Sequence, residues 1–123
     1  MDAKYEISML YDFYSGLIPA SQQRVVELYI NEDMSLAEVA ELLSISRQGV
    51  SDSLSRAKNK LLDYERRLGL LAEFRERMKA LDELRAAAEA IRGMTDDRGI
   101  LSECDRIDDI TDKLNEREER NGI

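Results

Sequence analysis

Apolar residues recur along most of this chain at steps of three and four, the period of a helix buried along one face. Residues 4–15 set Ile7, Leu10, Tyr11 and Tyr14 on one stripe, widened by Met9, Phe13 and Leu17, and Gly16 fits a C-terminal cap. Pro19, whose missing N–H costs nothing at a helix start, opens a second helix carrying Val25, Val26, Leu28 and Tyr29. That helix stops at Asn31-Glu32-Asp33. From Ser35 the pattern sharpens. Ser35 and Glu38 stand at capping-box spacing, Leu36, Val39, Ala40 and Leu43 follow, and the helix is expected to end near Ser44. Ile45 is a lone apolar residue in the turn, and the Ser46 hydroxyl can cap the next helix. There Val50, Leu54, Ala57 and Leu61 step by four, three and four to make one buried stripe. A short capped helix, a tight turn and a longer helix, with small Ala40 near the crossing, predict a helix-turn-helix over residues 35–61.

Gly69, after Arg66-Arg67-Leu68, ends or kinks that helix and closes a first domain over residues 1–68. Beyond it Leu71, Phe74, Met78 and Leu81 step by three, four and three. Leu84, Ala88 and Ile91 resume the stripe after one short step. Gly93 and Thr95-Asp96-Asp97 interrupt it, and a final helix carries Ile100, Cys104, Ile107, Ile110 and Leu114. Residues 69–118 are thus expected to form a long-helix hairpin or coiled-coil arm. Its seams pack on the first domain or on a second copy of the chain, which makes a homodimer the expectation. Residues 119–123 are expected to be a frayed tail. The fold class is all-α: a helix-turn-helix bundle with a helical arm.

Composition narrows the function. The 123 residues contain six glycines, one proline, one cysteine (Cys104) and no histidine. A lone cysteine without histidine excludes an internal disulfide and a Cys/His zinc site within one chain. It also removes the commonest general base. No phosphate-cradling glycine loop, nucleophile motif or paired acid/base carboxylates stand out, so neither enzyme activity nor a cofactor is expected. No run is apolar enough to span a bilayer and no signal peptide opens the chain, so it reads as cytosolic, with no membrane partner.

The formal charge of −8 disfavours holding nucleic acid by charge alone, but the charge is uneven. Residues 1–43 hold two basic and eight acidic side chains, and residues 69–123 ten basic and fifteen acidic. Residues 44–68 hold six basic and three acidic. The only basic segment is the second helix of the helix-turn-helix. With its apolar stripe buried, Gln48, Ser51, Asp52, Ser55 and Asn59 fall on the opposite face, flanked by Arg47, Arg56 and Lys58. Amides and hydroxyls suit base edges in a major groove, whereas cations and the Ser46 hydroxyl suit phosphates. Two residues pull the other way. Asp52 would repel phosphate unless it accepts from a cytosine amino group, and Gly49 costs roughly 1 kcal/mol against alanine. With so few cations, binding needs two copies. Plain packing gives helix-turn-helix geometry too, the serines also serve as caps, and Cys104 on its seam reads as a small buried hydrophobe.

The stretch SLAEVAELLSISRQGVSDSLSRAKNKLLDYERRLGLL resembles the YlxM-type family of small bacterial proteins, whose helix-turn-helix is similar to region 4 of sigma factors. Ser46-Arg47-Gln48, Ser55-Arg56-Ala57, Leu62-Asp63-Tyr64-Glu65 and Leu68-Gly69-Leu70-Leu71 carry the likeness, which covers about residues 5 to 90. The chain departs from the family pattern at Gly49 and Ser51. The resemblance implies an all-helical dimer without a wing and a regulatory part in the signal recognition particle protein-targeting pathway. It does not imply a sigma factor. Three functions stand beside one another at this stage. The first is a DNA-binding regulator. The second is an RNA- or protein-binding accessory of the signal recognition particle, and the third a structural adaptor acting through the arm.

Overall fold

The computed structural model describes residues 3–121, the last four by backbone alone. Among the described residues there are six α-helices and no strand: α1 (Ala3–Tyr14), α2 (Ala20–Val26), α3 (Leu36–Leu43), α4 (Arg47–Leu68), α5 (Leu70–Arg92) and α6 (Arg98–Asn121). The chain forms two compact units that divide between Leu71 and Ala72. The fold is all-α, as the periodicity predicts.

In the first unit α1, α2 and α3 all pack on α4. Leu10, Tyr14, Val25, Val26, Val39, Val50, Ala57 and Leu61 are buried, several completely. Val25, Leu28, Val39, Ala40 and Val50 form one cluster, closed over by Met34, Leu36, Leu43 and Leu54. Ala40 lets α3 approach α4, because a larger side chain there would hold the two backbones apart. One local expectation is corrected. Gly16 is not a left-handed cap: α1 ends at Tyr14, Ser15–Leu17 form a 3-10 turn, and Gly69 is the glycine with positive φ. The α1–α2 corner is fixed instead by the Gln23 amide, which donates to the carbonyls of Ser15 (2.8 Å) and Ile18 (3.0 Å). The second helix stops at Asn31-Glu32-Asp33, as expected, but not as a plain α-helix. It widens into a π-helical stretch over Glu27–Asn31, with Glu32 N–H bonded to the Glu27 carbonyl, and Asp33 reverses the chain at φ 52°.

Gly69 takes φ 64° and bonds its N–H to the Glu65 carbonyl, ending α4 where the sequence predicts. The first N–H groups of α5 are met by side chains: Leu70 by the Tyr14 hydroxyl and Leu71 by Glu65 Oε1, each at 3.0 Å.

The second unit holds most of α5 and the whole of α6. Asp97 caps α6 through Ile100 N–H at 3.0 Å. Arg92 bonds Asp105 (2.8 Å) and Asp108 (2.6 Å), and Arg85 bonds Asp112, so the partner number rises as the α5 number falls. The pair is therefore antiparallel. Here the expected seam is split. Leu81, Ala88, Cys104 and Thr111 are buried and Phe74, Met78 and Ile107 are half-buried, whereas Leu84 (49 % exposed), Ile110 (50 %) and Leu114 (42 %) face solvent. Leu71 belongs to the first unit, where it is buried. Arg85 and Arg92 occupy inward heptad positions that sequence spacing would give to leucine. Cys104 is the small buried residue expected. Of the tail expected at 119–123, residues 119–121 are helical and 122–123 lie outside the described residues.

Candidate nucleic-acid interface

The helix-turn-helix is built from interlocking caps. The Ser35 hydroxyl accepts from Glu38 N–H at 3.1 Å, and Glu38 Oε1 accepts from Ser35 N–H at 2.9 Å. Those bonds hold the Glu38 carboxyl below its ordinary range. At the other end Ile45 N–H reaches the Ala40 carbonyl (3.0 Å) and Ser44 N–H the Glu41 carbonyl (3.3 Å), with Ser44 left-handed at φ 58°. This is a Schellman stop built on serine instead of glycine. One residue later the Ser46 hydroxyl accepts from Gly49 N–H at 2.9 Å and starts α4. Two helix ends thus share a three-residue turn, Ser44-Ile45-Ser46, which fixes how α4 leaves α3. Gly49 lies in this cap: a Cβ there would sit 3.1 Å from the Ser46 oxygen. Sequence alone gives no such reason for a glycine inside a helix.

With Val50, Ala57 and Leu61 fully buried, the other side of α4 is set. Gln48, Asp52, Ser55 and Asn59 are exposed on it, as are Ser46, Arg47, Arg56 and Lys58. Ser51 is half-buried, turned toward the Arg47 and Lys58 flank. At about 100° per residue, Arg47 and Lys58 line one edge of this face and Arg56 and Lys60 the other. Lys60 was not among the residues singled out from the sequence, although the same wheel sets it beside Arg56. None of these four cations forms an ion pair among the described residues. By contrast Lys4 pairs with Asp33, Arg67 with Asp63 and Arg85 with Asp112.

The position of Asp52 is resolved by its neighbour. Gln48 Nε2 donates to Asp52 Oδ1 at 2.9 Å, one helical turn apart. The carboxylate orients the amide, whose carbonyl and second hydrogen stay available. The Ser46 oxygen is used by the cap, but its own hydrogen is free to donate.

The surface beside the turn has the opposite character. Glu27, Glu32, Met34 and Leu42 line a cavity of about 520 Å³ between α2 and α3, where Arg24 is the one cation. Among the described residues no group of three or more Cys, Asp or Glu is arranged to hold a metal ion, and no helix is long and apolar enough to cross a membrane.

Residues 1–97 match the family model for UPF0122, the YlxM / p13-like helix-turn-helix proteins. A UPF0122 protein of Thermoanaerobacter sp. (strain X514) is 40 % identical over 109 residues, covering 89 % of this chain and 93 % of that one. Another, from Oceanobacillus iheyensis, is 34 % identical over 110 residues, covering 89 % and 98 %. A third, from Desulforamulus reducens, is 39 % identical over 103 residues, covering 79 % and 88 %. The cap residues, the buried stripe of α4 and the α4–α5 corner all fall within the matched region. The chain belongs to the UPF0122 family of YlxM / p13-like helix-turn-helix proteins.

Proposed function

We propose that this protein is a non-enzymatic, duplex-DNA-binding regulator that lays the N-terminal half of α4 in the major groove. One observation carries the reading: the oriented Gln48–Asp52 pair lies between two edges of unpaired cations, on the only basic stretch of an acidic chain. In a groove, Gln48 presents a donor and an acceptor to a base edge, and Asp52 accepts from a cytosine amino group. Arg47 and Lys58 reach one phosphate strand, Arg56 and Lys60 the other. The Ser46 hydroxyl and the N–H groups at the start of α4 add neutral phosphate contacts. Four cations per copy give modest affinity, and the acidic remainder of the chain discourages binding away from α4, so two copies act together.

The test is competition between nucleic acids. Labelled duplex DNA from the protein's own promoter is titrated with the full chain, then challenged with unlabelled duplex or with signal-recognition-particle RNA. Displacement by duplex at far lower concentration than by RNA is the expected result. The reverse order would make α4 an RNA-binding helix in the targeting pathway, and failure to bind either would overturn the reading.

A further inference from the structure

Two hollows adjoin on the acidic flank of the helix-turn-helix. One, of about 520 Å³, is walled by the end of the second helix and by α3. The other, of about 460 Å³, lies along α3 between Met34, Glu38 and Glu41. Met34 and Leu42 line both, which makes the two one groove, and Leu28 adds apolar surface to the larger. Leu42 is 54 % exposed, more than any other large apolar side chain described in the first unit, and Met34 is half-buried. The π-helical stretch Glu27–Asn31 supplies the wall facing α3. Widened turns of this kind are rare and recur at functional sites.

The charges on the rim select the occupant. Glu27 and Glu32 stand on one side and Glu38 and Glu41 on the other, against Arg24 alone. Glu32 and Glu41 are exposed and in no ion pair among the described residues. The helix that begins at Ala20 also ends here, at Asn31, and its carbonyl end adds partial negative charge. Such a rim repels phosphate, which disfavours nucleic acid and anionic lipid alike. Among the described residues no acidic group is arranged to hold a metal ion. An apolar floor between carboxylates is complementary to an amphipathic helix whose apolar side chains are flanked by lysine or arginine. Adjoining hollows suit anchors one helical turn apart. This chain does not supply that helix itself, because α4, its only basic stretch, turns its apolar stripe into the core.

We propose that the Met34–Leu42 groove docks a basic amphipathic helix of another protein, its apolar side chains on Met34 and Leu42 and its cations on Glu32 and Glu41. The groove alone carries this inference, which stands whether or not α4 binds DNA.

The probe is a synthetic peptide of about 18 residues with leucine and lysine at amphipathic helical spacing. Titrated into the isotopically labelled full chain, it should shift the amide resonances of Met34, Glu41 and Leu42, with a dissociation constant on the order of micromolar. Leu42→Ala should weaken the peptide about tenfold, and Glu41→Lys several-fold, the second loss shrinking at high salt. Both side chains are exposed and neither caps a helix, so circular dichroism should stay unchanged. A peptide that fails to bind would overturn the proposal, as would binding indifferent to both substitutions. Equal affinity for a peptide with alanine in place of leucine would overturn the role given to the apolar floor. Groove resonances that move with protein concentration alone would assign the groove to a second copy, and resonances that move with duplex DNA would assign it to nucleic acid. Either result overturns the proposal. Neither substitution touches α4, so loss of peptide binding is distinct from loss of DNA binding.

Discussion

The Tyr14 hydroxyl donates to Glu65 Oε1 at 2.5 Å, joining the last turn of α1 to the last turn of α4. The same hydroxyl accepts from Leu70 N–H, and the same carboxylate oxygen accepts from Leu71 N–H. Two side chains from distant parts of the sequence thereby cap the start of α5. Tyr14 is 1 % exposed, so its hydroxyl cannot exchange its partner for water without opening the core, whereas Glu65 is half-buried.

Tyr14→Phe keeps the ring, which packs 6.0 Å from that of Tyr64, but leaves the Glu65 carboxylate and Leu70 N–H each short of one bond. A buried bond to a charged acceptor is worth about 2 kcal/mol, and that loss is expected in urea unfolding. Tyr64→Phe removes only an exposed bond to the Leu17 carbonyl and should cost about 1 kcal/mol or less. Equal losses would contradict the capping role given to Tyr14.

Burial, reinforced by Glu65, pushes the Tyr14 hydroxyl up to about 12. Burial with Glu27, 2.9 Å away, does the same for Tyr11. A raised folded pKa means stability fully present below about 10, the unfolded value, and lost as pH rises from there through about 12. Tyrosinate absorbance should therefore show two of the five tyrosines ionising late, together with loss of helix. Glu65→Gln should bring one of the two back toward 10.

Ser44 occupies the left-handed position of the stop after α3, where an L-residue is strained and glycine is not. Ser44→Gly is expected to stabilise the first unit by about 0.5 to 1 kcal/mol in chemical denaturation. Ser44→Val should destabilise it by more than that. A neutral Ser44→Val would mean that the turn has another conformation.

Asp52 is assigned to orienting Gln48 and to reading a base, not to affinity. Asp52→Asn removes a negative charge from the exposed face of α4 that is proposed to enter the groove. Binding to random duplex should strengthen several-fold while discrimination between the operator and random duplex falls. Competition binding on both sequences reads the two effects separately.

The elements and buried stripes of the first unit were legible because local periodicity and capping residues carried them: Ser35 with Glu38, and Val50 with Ala57 and Leu61. What sequence spacing missed depends on contacts between distant residues. Gly16 looked like a cap, but the corner is held by Gln23. The reason for Gly49 is visible only once the Ser46 oxygen is placed. In the hairpin, apolar spacing put Leu84 on one seam with Leu81, and Ile110 and Leu114 on a second with Ile107, because it gives arginine no credit for an inward position. Arg85 and Arg92 take such positions with aspartate partners, and the larger apolar residues turn outward. On α4 every residue singled out as a DNA contact is exposed except half-buried Ser51, and Lys60 joins them on the wheel.

The measurement closest to the central claim is the salt dependence of duplex binding, wild type against Arg47→Ala/Arg56→Ala, followed from low to physiological salt. With four phosphate contacts per copy, the slope of log K against log salt should be about −4 for one copy and about −7 for two. It should become shallower by about 2 per copy in the variant. A slope that the two substitutions leave unchanged would contradict the assignment of α4 as the DNA-binding helix.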